Sequence, residues 1–198
     1  MKKTPDSNAA KTLGRPRCPN TDLEILKAAL RQLATEGYSR MSVDAVAAEA
    51  GTTKPTIYRR WPTKADLAVA ALAHLQSRAQ PELTGDMEQD LWAVLRDFQT
   101  KLLRPNGMAM IGTLLVEERH TPELIDLFRQ RIVQPRRKLL LKILAQARAR
   151  DELAPDADPE VAVNMIVGSF YARYLTGDGI PHDWAKRVTA TVLNGLRK

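Results

Sequence analysis

Between Ser42 and Lys64 the chain sets out residues suited to gripping an anionic, grooved surface. Thr53, Lys54, Pro55 and Thr56 are small or basic, and Arg59 and Arg60 follow one helical turn later. The DNA major groove admits one helix, and a helix entering it needs small or polar residues at its N-terminal end. Pro55 and Thr56 allow close approach and offer apolar contact to a thymine methyl. Arg59 is the residue expected to read guanine, because its planar fork matches O6 and N7. Arg60 is expected to add a phosphate contact. Ser42, placed to begin the preceding helix, suits phosphate through its hydroxyl and backbone N–H.

Other chemistries find little support. Cys18 is the single cysteine, which excludes an internal disulfide framework and a cysteine-rich zinc site. His74, His120 and His182 are far apart, and no HExxH, GxSxG or Walker-type loop occurs. The acidic stretch Asp151, Glu152, Asp156, Asp158 and Glu160 lacks the order and glycine of a calcium loop. No cofactor, metal or catalytic role is expected. No apolar run reaches the roughly 20 residues of a membrane helix, and the basic start lacks the apolar region of a secretory signal. The expectation is a soluble, cytoplasmic protein.

Charge is unevenly spread. The 198 residues carry net +7; residues 1–66 hold 12 basic and 7 acidic side chains, residues 67–198 hold 18 and 16. A basic first third beside a nearly neutral remainder suggests a nucleic-acid-facing module joined to something else.

The elements that position these residues read as helices throughout. Aromatics are only 5% and no alternating strand segment occurs. Residues 1–19 read as a flexible basic arm. A helix from Thr21 carries Leu23, Leu26, Leu30 and Leu33, and Gly37 stops it. Ser42 caps a short helix with Val43, Val46, Ala47 and Ala50 on one face; Gly51 turns the chain, and Thr52 or Thr53 caps a third helix. Two short helices joined through Ala50-Gly51-Thr52-Thr53 form a helix-turn-helix pattern. Thr63 caps a fourth. Further helices are expected at Asp86 to Leu103, Met108 to Glu118 (apolar on most sides, hence buried), Thr121 to Arg150, Val161 to Leu175 and Trp184 to Leu196. Pro135 should kink or split the long one. The expected fold is all-α, about nine helices, with a helix-turn-helix domain over 20–66 and a larger helical domain over 67–198.

The run from Met41 to Leu67 resembles the DNA-binding domain of the TetR family of bacterial regulators. Ala50-Gly51, a short polar turn, Lys54-Pro55-Thr56-Ile57-Tyr58, the aromatic Trp61, then Lys64 and Leu67 carry the likeness. Trp61 stands where the family usually has Phe, and Arg60 where His is frequent. The resemblance implies that Tyr58 meets backbone phosphate, and that Lys64 anchors phosphate at the start of the fourth helix. It also implies a ligand pocket among the helices from Thr63 to Arg150, capped by the helix starting at Val161. Candidate lining residues are Trp92, Phe98, Met108, Met110, Leu114, Phe128, Met165 and Tyr171, with His74, Asn164 and Tyr171 to orient a hydrophobic or amphipathic effector. The last two helices would pair with those of a second copy through Val163, Val167, Phe170, Tyr174, Trp184, Val188, Val192 and Leu196.

The arm adds one motif. Gly14-Arg15-Pro16-Arg17 resembles the core of AT-hook peptides: Pro keeps the chain extended, Gly permits close approach, and Arg15 and Arg17 suit the electronegative A·T minor groove. The implied function is a homodimeric, effector-released repressor on a palindromic operator. Two alternatives stay open: a protein of the same fold acting through a protein partner without DNA, and a small all-α enzyme.

Overall fold

The computed structural model describes residues 19–76 and 81–197. The arm, with Arg15, Arg17 and Cys18, lies outside the described residues. Ten α-helical segments follow in order: α1 (Pro19–Arg40), α2 (Val43–Glu49), α3 (Lys54–Tyr58), α4 (Lys64–Gln76), α5 (Met87–Leu102), α6 (Gly107–Val116), α7 (Pro122–Phe128), α8 (Gln134–Ala149), α9 (Pro159–Leu175) and α10 (Trp184–Leu196). Segment α7 passes into α8 through a π-helical turn, Arg129–Val133, so the chain makes nine helical rods among the described residues. An isolated bridge between Leu153 and Arg197 is the one strand-like pairing described.

The local signals act where they stand in the sequence. Gly37, at φ 75° and ψ 173°, interrupts the end of α1, and residues 38–40 form a last turn beyond it. Ser42 accepts a hydrogen bond from Ala45 N and caps α2. Gly51 (φ 61°) takes the left-handed conformation that ends α2, which an L side chain adopts only with strain. Thr63 caps α4: its hydroxyl accepts from Asp66 N at 2.9 Å and donates to the Asp66 carboxylate at 2.8 Å. Asp86 caps α5, and Asp158 caps α9. The expected long helix is split next to Pro135: the π turn Arg129–Val133 separates α7 from α8, and Pro135 stands in the first turn of α8, where a missing N–H is tolerated.

Two apolar clusters organise these rods. One joins α1–α4 to α6 and α7, with Ile25, Ile57, Leu67, Leu114 and Leu124 fully buried. The other is formed by α5, α8, α9 and α10 around Phe98, Leu140, Ile143 and Phe170. Phe98, Phe170 and Trp184 stack there, with Phe98 and Phe170 centroids 5.1 Å apart in an edge-to-face pair. Ile111 on α6 touches both clusters. Segment α6 is less buried than its apolar composition suggests: Leu115 and Val116 are exposed, while Met110 and Leu114 are buried in the first cluster, with α6 packed mainly on α1. No described helix is long and apolar enough to cross a membrane.

Candidate functional site

Ile57 and Trp61 pack into the first cluster and fix α3 against α1 and α2. With its inner face so anchored, α3 turns Thr53, Lys54, Pro55, Tyr58 and Arg59 outward; all five are exposed. The Thr53 and Thr56 hydroxyls lie 3.0 Å apart at the helix start. Lys54 Nζ donates to Asp44 on α2 at 2.8 Å, an exposed pair whose hydrogen bond raises the lysine pKa. It braces the two helices and leaves the aligned surface basic at Arg59.

Two expected phosphate contacts face inward in this conformer. Arg60 pairs with Asp22 of α1 at 2.6 Å, its side chain only 20% exposed. Lys64 Nζ donates to the carbonyls of Ser39 (3.1 Å) and Met41 (3.3 Å) and stands 4.5 Å from the Tyr38 ring centroid. Burial lowers its pKa, against the pull of Glu117. The reason is position: the first turn of α4 packs against the end of α1, whose last carbonyls lack helical partners.

A polar junction extends from this point. Glu117, buried after α6, accepts from the Ser39 hydroxyl and from Thr121 Oγ1 (3.2 Å). Burial, with the carboxylates of Glu123 and Glu117, pushes the Tyr38 phenol up to about 12. On the other side of α4, Arg131 of the π turn donates to Asp66 at 2.6 Å. Burial of Asp66 works the other way, but hydrogen bonds from Thr63 and Arg131 hold its carboxyl below the usual range.

A cavity of about 270 Å³ opens between α5 and α9. Phe98, Leu102, Ile111, Phe128, Val133, Arg136, Arg137, Leu140, Val163, Asn164, Val167, Gly168 and Tyr171 line it. The volume lies just below the roughly 300–1,000 Å³ range of small-molecule sites. Of the expected lining residues it gathers Phe98, Phe128, Asn164 and Tyr171. It does not gather the other six. Met110 and Leu114 are core of the first cluster, Met108 packs at the edge of the second, and His74 lies in the last turn of α4. Trp92 is exposed over a separate surface cleft with Lys186 and Thr189. Met165 is 60% exposed on the outward side of α9.

The expected pairing stripe on α9 is also displaced. Val163 and Phe170 are fully buried in the chain's own core, and Val167 lines the cavity. Of the four expected α9 residues Tyr174 alone is exposed, and the other exposed apolar residues of α9 are Val161, Met165 and Leu175. A groove beside them runs from Met165 and Ser169 to Trp184, Val188 and Val192. Segment α9 is apolar on most sides, so its periodicity could not say which stripe faces inward. Trp184 and Leu196 are buried beneath that surface.

Sequence reasoning missed Arg136, Val133, Gly168 and Glu117. The adjacent pair Arg136-Arg137, directly after Pro135 and inside an apolar helical pattern, was the available signal.

Comparison with known proteins agrees with this geometry. Residues 25–71 match the family description "Bacterial regulatory proteins, tetR family". Residues 81–192 match "Tetracyclin repressor-like, C-terminal domain". An HTH-type transcriptional regulator of Mycobacterium tuberculosis is 35% identical over 150 residues, 74% of this chain and 72% of the relative. The DNA-binding transcriptional repressor TetR of Mycobacteroides abscessus is 30% identical over 175 residues, covering 85% and 90%. The crystal structure of a TetR family transcription regulator superposes with a TM-score of 0.66 at 29% identity, covering 90% of this chain and all of that one. A flavonoid-responsive regulator shares the fold at 20% identity, with a TM-score of 0.69 over 91% and 98% of the two chains. With a helix-turn-helix held on one apolar cluster and a helical bundle on the other, the chain belongs to the TetR family of DNA-binding transcriptional regulators.

Proposed function

We propose that the chain acts in the cytoplasm as a homodimeric repressor that leaves a palindromic operator when a small hydrophobic or amphipathic effector binds. The observation that carries the DNA-binding part is the outward row Thr53, Lys54, Pro55, Tyr58 and Arg59 on α3, beside the Ser42-capped start of α2. Arg59 reads base edges; Ser42, Thr53, Thr56, Lys54 and Tyr58 hold phosphate and set register. Arg15 and Arg17 of the arm add minor-groove contact. Arg60 and Lys64 serve by holding α1, α3 and α4 in place, and reach phosphate only if their internal pairs open. The domains run from 20 to 66 for reading DNA and from 67 to 198 for effector and partner.

A two-fold dimer would set two recognition helices about 34–36 Å apart, one turn of the duplex. The exposed apolar residues of α9 and the adjoining groove with α10 favour that face for the second copy. The cavity favours the effector reading. Val133 at its wall and Arg131, which holds Asp66 at the start of α4, belong to one π turn. An effector that repacks Val133 would therefore bias α4, and with it the spacing of the recognition helices.

Selection from random duplex DNA, followed by titration of the winner at several salt concentrations, tests the reading. A palindromic winner with a steep salt slope supports it. No enrichment by a folded, dimeric chain would replace it with the partner-binding alternative.

A further inference from the structure

A separate cleft, of about 400 Å³, opens between α5 and α10. It falls inside the roughly 300–1,000 Å³ range of small-molecule sites. It shares no lining residue with the α5–α9 cavity or with the α9–α10 groove. Asp86, Glu88, Gln89 and Trp92 line it from the α5 side, Lys186 and Thr189 from α10. The two helices run antiparallel: Gln99 donates to the Pro181 carbonyl at one end (2.8 Å), and Arg197 pairs with Glu88 at the other (2.9 Å). Lys186 therefore stands toward the Arg96 end of the cleft, Asp86 and Glu88 stand at the far end, and Trp92 and Thr189 lie between.

Thr189 is the informative residue. It is 1% exposed, and its hydroxyl has no hydrogen-bond partner. Thr35, Thr100, Thr113 and Thr191, also within helices, each donate to the carbonyl four residues back; Thr189 does not. An unanswered buried hydroxyl costs folding free energy that a valine of the same shape would not, so packing does not account for a threonine here. The charged groups sort by commitment. Asp86 accepts from Gln89 N at 2.7 Å, and Glu88 is paired with Arg197. Lys186 is exposed and has neither hydrogen bond nor ion pair among the described residues. Lys186 and Thr189 thus present two donors, three residues apart on one face of α10. Trp92 supplies the wall. Its ring is 37% exposed, and Arg96 stands over one face, 4.7 Å from the centroid, adding a second cation at the Lys186 end. We infer that this cleft binds a small aromatic acid, its carboxylate on Lys186 and the Thr189 hydroxyl, its ring against Trp92. The acidic far end turns the anion toward Lys186. The site is additional to the effector cavity and does not rest on it.

The test uses the full chain and 2-naphthoate against its neutral amide, 2-naphthamide, by calorimetry at pH 7.5. The acid should bind about fivefold or more tightly than the amide. Thr189→Val discriminates most sharply. It should raise the midpoint of a thermal melt, because the unanswered hydroxyl is gone, and still weaken the acid by about threefold or more. Trp92→Ala should weaken acid and amide alike by about tenfold, and Trp92→Phe by less. Lys186→Gln should remove most of the acid's preference over the amide. Trp92 and Lys186 are exposed, so these variants keep the fold, which a far-UV dichroism melt reports. Equal binding of acid and amide, an acid affinity untouched by Trp92→Ala or by Thr189→Val, or no binding of the acid to the folded chain at about 1 mM overturns the inference. Operator selection on the unmodified chain is the separate arm. DNA binding without acid binding removes the cleft's ligand and leaves the regulator; acid binding without DNA binding does the reverse.

Discussion

Arg59 and Arg136 carry the same guanidinium in opposite surroundings. Arg59 stands exposed at the end of α3, on a short helix whose inner side is locked by Ile57. Arg136 is drawn into the α5–α9 bundle, over the Phe98 ring. On α3 the charge costs nothing to keep, since water solvates it until a partner displaces that water. In the bundle the charge loses solvation on folding and recovers part of it from the Phe98 ring and from neighbouring polar and acidic groups. On the proposed reading the exposed face meets a large, polyanionic, salt-sensitive partner, whereas the buried cation belongs to the packing of the bundle.

The comparison is sharpened by substitutions that strike one region and spare the other. Phe98→Ala should have the largest effect, because it empties the centre of the second cluster. A loss of about 3–5 kcal/mol in stability is expected, read by chemical denaturation. A loss below about 1 kcal/mol would mean that the bundle is not packed around this ring.

Arg59→Ala should leave the melting temperature within about a degree and cost about 1–3 kcal/mol of operator binding. Discrimination at one base position of each half-site should relax with it. A uniform loss across all sequences would make Arg59 a phosphate contact and give the reading role to another residue.

The two regions meet at Asp66 and Arg131. Arg131→Gln removes a partly exposed pair, so stability should fall by less than about 1 kcal/mol. Operator affinity without effector should nonetheless change by roughly fivefold, because the pair ties the π turn to α4. Unchanged affinity would separate the cavity from the reading head. The same pair gives a sign for pH. Asp66 has a folded pKa below its ordinary 3.8, so its contribution is present above that value and disappears as pH falls through the lower, folded one.

The smallest effect belongs to Tyr38. Its phenol is pushed from 10.0 to about 12, so the folded chain holds that proton more tightly than the unfolded chain. The stabilisation is complete below pH 10 and is lost between pH 10 and about 12. Among four tyrosines, Tyr38 and Tyr171 should ionise late in an ultraviolet titration, and Tyr38→Phe should remove one of the two late protons. A titration with no late step would place Tyr38 in contact with water.

What was legible in the sequence was local. Ser42, Gly51 and Thr63 act on backbone groups within four residues of themselves, so their types and spacing set α2, the turn and the start of α4, while Thr53 stands at the start of α3 with its hydroxyl against that of Thr56. The outward row on α3 followed, because a short helix with one apolar anchor has one outward face. The cavity and the α9 surface were not legible. Segment α9 is apolar on most sides, so periodicity left open that Val163 and Phe170 face the core while Val161 and Met165 face out. Lys64 and Arg60 read as surface cations until α1 supplied the carbonyls of Ser39 and Met41 and the carboxylate of Asp22. Arg136 joined the cavity wall only when α5 brought Phe98 beneath it and α9 brought Tyr171 to the same cavity. Sequence alone thus determined the helices, most of their caps and the exposed face of α3, since each depends on neighbours along the chain. Tertiary structure decided which cations turn inward, where the cavity lies and how it reaches α4, because those depend on groups distant in sequence.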